Sequence, residues 1–188
     1  MKTNKKGFTI IEVVLVLAIA GLIFLMVFIA LPALQRSQRN TQREDDLARV
    51  LTAVNDFQTN NNGKTPFNGL DMVAFVQRYL DKDCKGDSNA AVLSTTAGNA
   101  TKFTECGQQF SDPDGTAYNI VFKGKAPSGE GVGASGSSVG LTEFDHKFYA
   151  YYNASCGDEG MVKPGSGDRE VAIFFVEEGG AIACNDNH

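Results

Sequence analysis

One carboxylate in this chain stands where a carboxylate is costly. Glu12 is the fifth residue of an apolar stretch that begins at Phe8, and no further charge follows until Arg36. On insertion scales an isolated acid in such a segment costs about 2–3 kcal/mol, so it needs a partner or a proton. It can lie near lipid headgroups and snorkel, or it can wait for a cation supplied later. The one local cation able to arise at the same depth is a new α-amino group, made if the chain is cut between Gly7 and Phe8. That chemistry is a processing step followed by charge neutralisation.

The other residues able to do chemistry point elsewhere. Cys84, Cys106, Cys156 and Cys184 include no CxxC pair, and only His146 and His188 stand by to complete a zinc set. No metal site is expected from them. In an exported domain they read as two disulfides with three connectivities. The favoured pairing is Cys84–Cys106, closing the small, polar segment between them, with Cys156–Cys184, tying down the chain terminus. Cys84–Cys156 with Cys106–Cys184, and Cys84–Cys184 with Cys106–Cys156, stay open.

Asp112-Pro113-Asp114-Gly115 brings two carboxylates close enough for a hard cation, but Thr116 breaks the EF-hand spacing, and a turn entering a strand at Ala117 is expected. Gly131-Val132-Gly133-Ala134-Ser135-Gly136 satisfies GxGxxG. It lies in a Gly/Ser-rich run from Gly124 to Gly140 without helical periodicity, so it reads as a loop rather than a dinucleotide site. His146 has no Ser or Cys in a nucleophile motif to serve and is expected at a strand edge or exposed. Tyr149, Tyr151 and Tyr152 have no interleaved arginines, so they read as sheet packing rather than a base-stacking platform. Asn99-Ala100-Thr101 and Asn153-Ala154-Ser155 match a glycosylation tripeptide too common by chance to carry weight. No catalytic residue and no cofactor are expected.

The elements that hold Glu12 are legible. From Val13 to Leu34 the 22 residues are uncharged, and all but Gly21 and Pro32 are Ala, Val, Ile, Leu, Met or Phe. As a helix they reach about 33 Å, which matches a bilayer core. A secretory signal has a shorter apolar core and a small-residue cleavage site after it. Lys2, Lys5 and Lys6 favour a cytoplasmic amino terminus with the rest exported, against the competing pull of Arg36, Arg39 and Arg43. Gly21 and Pro32 are weak points for helical hydrogen bonding. Leu47, Val50, Leu51, Val54 and Phe57 then form one amphipathic stripe, ended by Asn60-Asn61-Asn62-Gly63 and Pro66.

Beyond it, a short helix is expected over Leu70–Leu80. Antiparallel strands are expected at Ala117–Phe122, Lys147–Tyr152, Val171–Glu177 and Ala181–Cys184, the last two joined through Glu178-Gly179-Gly180. The fold class is α+β: a long amino-terminal helix packed on a small antiparallel head. Mean hydropathy, −0.16, averages these two chemistries. From Glu44 onward 21 acidic residues face 11 basic ones, which argues against nucleic-acid binding by the bulk of the head.

Lys5-Lys6-Gly7-Phe8-Thr9-Ile10-Ile11-Glu12, with the apolar run behind it and Leu31-Pro32-Ala33-Leu34-Gln35 closing it, resembles the class III leader of type IV prepilins and pseudopilins. The resemblance covers about the first 55 residues. It implies a leader over 1–7, a transmembrane or filament-core helix over 8–34, an amphipathic half over 35–60, and a globular head over 61–188 with an α/β loop, a sheet and a carboxy-terminal disulfide loop. It implies cleavage between Gly7 and Phe8 by a prepilin peptidase and methylation of the Phe8 amine. Glu12 would neutralise that amine on a neighbouring subunit. Pro32 lies three residues further from the cleavage point than the usual proline of the family, and some pseudopilin heads carry calcium.

The function so implied is that of a non-enzymatic subunit of a type IV pilus serving adhesion, twitching motility or DNA uptake. Its partners would be further copies of itself in a helical filament, the peptidase, an assembly platform and minor pilins. The precursor would sit in the cytoplasmic membrane with its head outside, and the assembled filament at the cell surface. The alternative within the resemblance is a pseudopilin of a type II secretion or competence system. More remote is a membrane-anchored binding or catalytic domain.

Overall fold

The structure of the chain, a computed structural model, describes residues 7–66, 72–86, 100–101, 103–107, 110–126 and 145–188. It divides into two compact units, Met1–Arg39 and Asn40–His188. Helix α1 spans Ile10–Asn60 and contains Pro32. Its first part carries the window long and apolar enough to cross a membrane, and none of that window is buried. A helix apolar all round has no wet face to offer and must be covered by lipid or by other helices.

In the second unit the buried positions of α1 are Arg43, Leu47, Val50, Leu51, Ala53, Val54 and Phe57. Their spacing of three and four residues lines one face. Asn62 takes a left-handed φ of 56°, and the Gly63 N–H donates to the Gln58 carbonyl at 2.7 Å, a Schellman closure of an otherwise orphaned carbonyl. The Asn61 side chain caps the Phe57 carbonyl at 2.8 Å.

Helix α2 spans Met72–Tyr79, ending one residue before the expected Leu80, and Leu70 lies outside the described residues. The strands are β1 (Lys85–Gly86), β2 (Ala100–Thr101), β3 (Phe103–Glu105), β4 (Asn119–Lys125), β5 (Lys147–Tyr152), β6 (Ala154–Cys156), β7 (Val162–Pro164), β8 (Val171–Val176) and β9 (Ile182–Asp186). The main sheet has the order β2-β4-β5-β8-β9, while β1 pairs with β3 and β6 with β7.

Three corrections to the expected strands follow. β4 and β5 are parallel, with Ile120 opposite Phe148, whereas the other pairings of the main sheet are antiparallel. A parallel pair needs a long crossover, and the segment joining β4 to β5 supplies the length. β4 also starts later, because Ala117 bridges to Ser111 across the aspartate turn, and it runs on to Lys125 through a bulge at Phe122/Gly124. β9 does not end at Cys184 but continues to Asp186 opposite Ala172.

The sheet is covered on both faces. Ile120, Phe148, Ala150, Ile173 and Phe175 pack in one core with the α1 stripe, Phe75 and Val76. Val121, Tyr149, Tyr151, Ala172 and Phe174 form a second core with Ala154 and Val162. Every residue of β8 is buried, so its sequence VAIFFV is a continuous apolar run rather than an alternation. Tyr149 and Tyr151 both stack on Phe174, with centroids 5.2 and 6.2 Å away, and are unavailable to bases.

Cys84 is bonded to Cys106 and Cys156 to Cys184. The first closes 22 residues of chain separation, worth about 3 kcal/mol as lost freedom of the unfolded state. Replacing Cys84 and Cys106 together by Ser is expected to lower the Tm of the full chain in detergent by about 6–12 °C. An unchanged melting curve would contradict this.

Candidate assembly segment and head-locking network

The amino-terminal segment is built around two neighbours. Thr9 immediately precedes α1, and its backbone N–H donates to Glu12 Oε2 at 2.8 Å while its hydroxyl donates to the same oxygen at 2.9 Å. The Glu12 N–H returns to Thr9 Oγ1 at 3.4 Å. This is a capping box: the acid three residues into the helix satisfies amides that the first turn leaves orphaned. Only Oε2 is engaged in these bonds. Glu12 therefore starts the helix and keeps a carboxylate at its tip.

The apolar residues of the segment are strongly exposed, Phe8 at 89% and Phe28 at 72%. A methyl group added at Gly7 or Gly21 would meet open space, so packing within the chain requires neither glycine. Pro32 cannot donate to the Phe28 carbonyl, yet α1 runs through it. The arrangement offers an apolar cylinder headed by one carboxylate.

The same segment matches a family model. Residues 2–28 match the prokaryotic N-terminal methylation motif. The amino-terminal segment is similar to that of type IV pilins and pseudopilins. Processing by a prepilin peptidase follows from such a leader, as does a membrane-anchored precursor. Comparison with curated proteins and with solved structures gives no match. The rest of the chain must therefore be read from its own geometry.

Its most distinctive feature lies where α1 enters the head. Arg43, 2% exposed, donates from Nε to Asp112 Oδ1 at 2.5 Å and from Nη2 to Asp112 Oδ2 at 3.0 Å, a bidentate pair. Its Nη1 donates to Glu178 Oε1 at 2.8 Å and to Asn40 Oδ1 at 3.2 Å. Burial works against the charged guanidinium, but the hydrogen bonds and charges of Asp112 and Glu178 more than offset it and raise the Arg43 pKa. The Asn40 amide also reaches Glu177 Oε2 at 3.3 Å, and the Glu178 N–H donates to Asn40 Oδ1 at 3.3 Å. α1 is thereby locked both to the aspartate turn and to the β8–β9 hairpin.

Sequence reading grouped Arg43 with Arg36 and Arg39 and missed this role. The signal was present: Arg43 lies four residues before Leu47 and seven before Val50, on the line of the apolar stripe.

The aspartate turn is tied to β5 as well. Asp112 and Asp114 organise it through the Gly115 N–H to the Asp112 carbonyl at 2.7 Å and the Thr116 N–H to Asp114 Oδ1 at 2.8 Å. His146, which was expected at a strand edge or exposed, is half-buried with φ 58° and sits 2.8 Å from Asp114 Oδ2 and 3.8 Å from Asp112 Oδ2. Among the described residues, Asp112, Asp114 and His146 form a group whose ligand atoms converge within 4.8 Å. Both Asp112 oxygens are already engaged by Arg43, so this group works as a polar relay from α1 to β5.

Burial works to raise the Asp114 pKa, but the His146 hydrogen bond and the Thr116 amide hold it well below the usual carboxylate range. The unfolded chain then binds more protons at acid pH. This contribution to stability is full above pH 3.8 and is lost as pH falls towards the folded value. Asp114→Asn is therefore expected to lower stability at pH 5 and to approach the wild type progressively as pH falls below 3.8, the two meeting only below the folded value. Parallel acid-unfolding curves would contradict it.

One further motif can be placed. In the amide orientation that satisfies its neighbours, Asn153 donates to the Gly165 carbonyl at 2.8 Å and accepts from Lys125 Nζ at 2.9 Å, so its side chain is part of the fold. Gly131–Gly136 and Asn99 lie outside the described residues.

Proposed function

We propose that the chain is a subunit of a type IV pilus, cut between Gly7 and Phe8, methylated on the Phe8 amine, and polymerised through its amino-terminal helix. The observation that carries this reading is Glu12: a carboxylate at the tip of an exposed apolar helix, directly behind a methylation-type leader. In lipid the helix is satisfied by acyl chains, and in a filament by identical helices. Identical contacts about an axis that does not close give an open fibre. Glu12 of one copy then meets the Phe8 amine of the next. The role is structural, with no catalytic residue. Gly21 and Pro32 let the helix stretch locally, and the disulfides and the Arg43 network keep each head intact on its stalk.

The remaining parts of the reading rest on this mechanism. Residues 1–7 are the discarded leader, 8–34 the membrane and filament-core segment, 35–60 the amphipathic half, and 61–188 the head. Loss of the leader leaves 14 basic against 22 acidic residues, a formal −8. Partners are other copies, the assembly platform and minor pilins. The precursor lies in the cytoplasmic membrane with its head outside, and the filament at the cell surface serves adhesion, motility or DNA uptake. Immunogold electron microscopy with antibody to the head tests it: long surface fibres decorated along their length are expected. Label confined to the envelope would favour a pseudopilin of a secretion or competence system instead.

A further inference from the structure

Two carboxyl groups meet where α1 passes the β8–β9 hairpin. Asn40 and Glu44 are four residues apart on α1 and so share one face. Opposite that face, Glu177 Oε2 accepts from the Asn40 amide at 3.3 Å. Glu177 directly follows β8, and the turn fixes its backbone: its N–H donates to the Ala181 carbonyl at 2.8 Å, and its carbonyl accepts from the Gly180 N–H at 3.0 Å. Glu44 and Glu177 line one cavity of about 390 Å³, and their side chains hydrogen-bond to each other.

An ionised carboxylate only accepts hydrogen bonds. A bond between two carboxyl groups therefore holds a proton, and once that proton leaves, two like charges face each other. Arg43, one residue before Glu44, turns Nε and Nη2 to Asp112 and Nη1 to Glu178, so it comes with two carboxylates of its own. Among the described residues, the cavity lining adds Leu47, Ile182, Asn185 and the Cys156–Cys184 disulfide beside the pair, but no cation. Burial, then the charge of Glu44 and the hydrogen bond to it, raise the Glu177 pKa above its ordinary value.

We propose that Glu44 and Glu177 form a proton-operated latch between α1 and the β8–β9 hairpin, closed while the pair holds a proton and loosened when both groups are ionised. A group whose pKa is raised on folding contributes stability that is fully present below its unfolded value, 4.5 here, and is lost as pH rises through the folded value. Asp114 runs the other way, since its contribution is lost towards acid. The hairpin and the aspartate turn, both held by Arg43, thus respond to pH in opposite senses. With the latch open, Arg43 still holds Glu178 at 2.8 Å, so the hairpin loosens without leaving the helix. The device lies within the second unit and does not depend on how the chain polymerises.

Thermal unfolding of the full chain in nonionic detergent between pH 4 and pH 7.5 tests it. Glu177→Gln keeps the shape and the hydrogen bond but removes one charge. It is expected to raise Tm by about 2–4 °C at pH 7.5 and to match the wild type at pH 4. Glu44→Gln should do the same, and the double variant should gain nothing more, because one neutral partner already ends the repulsion. Subtracting the wild-type Tm at each pH removes the contribution of Asp114, which all these chains share. The loosening itself is read at the Glu178 N–H, which donates to Asn40 Oδ1 at 3.3 Å. Its hydrogen-exchange protection, corrected for the intrinsic rate, is expected to fall about fivefold from pH 5 to pH 7.5 in the wild type and to hold constant in Glu177→Gln. An equal gain at both pH values, no gain at pH 7.5, additive gains in the double variant, or protection that falls alike in both proteins would each overturn the latch.

Discussion

Glu12→Gln is expected to reduce surface filament by roughly 30-fold or more while leaving the protein processed and in the membrane. The substitution is chosen for what it preserves. Glutamine at the third helical position still accepts from the Thr9 amide and hydroxyl, so the capping box seen at 2.8 and 2.9 Å survives. Only the charge is lost. A buried ammonium left without its carboxylate costs about 2–5 kcal/mol, which sets the size of the effect. Quantitative immunoblotting of the sheared fraction against the membrane fraction reads it. Filaments at wild-type level would show that Glu12 only starts the helix, and Glu12→Ala would then be no worse than the loss of a cap, about 1 kcal/mol.

The second large effect belongs to the head. Asp112→Ala is expected to destabilise the protein by about 3–5 kcal/mol, because it strands Arg43 in a site where its guanidinium is 2% exposed. In Tm this is a fall of about 10 °C. Glu178 retains one contact with Arg43 at 2.8 Å and limits the damage. Replacing both partners by apolar residues, Arg43→Met with Asp112→Leu, should be much milder than Asp112→Ala alone, since a buried pair roughly balances its desolvation. Thermal unfolding of the full chain in detergent distinguishes the cases. If the double variant is as unstable as the single one, the pair is not the origin of the loss.

These two sites show what a sequence carries. Glu12 is legible because its neighbours are uniform: against 22 apolar residues one acid is visible without any tertiary knowledge. The α1 stripe is legible because a single period governs it, and β5 because Lys147–Tyr152 alternates between two cores. The lock at Arg43 is harder to see because its partners lie 69 and 135 residues away. The position of Arg43 on the stripe hints at burial, but nothing local names Asp112. His146 and Asp114 meet across 32 residues for the same reason. The parallel pairing of β4 and β5 escaped because strand sequences carry no mark of direction, and the joining segment shows no helical period that would announce a crossover. Local chemistry announces the assembly segment, whereas the head is specified by contacts between distant residues.

The central claim is that the chain is cut before Phe8 so that its new amine can meet Glu12 in a polymer. Intact-mass and fragment-ion spectrometry of filaments sheared from the cell surface tests it directly. The expected species begins with N-methylated Phe8, lacks residues 1–7 and retains both disulfides. A filament subunit beginning at any other residue, or one still carrying Lys5 and Lys6, would contradict the account.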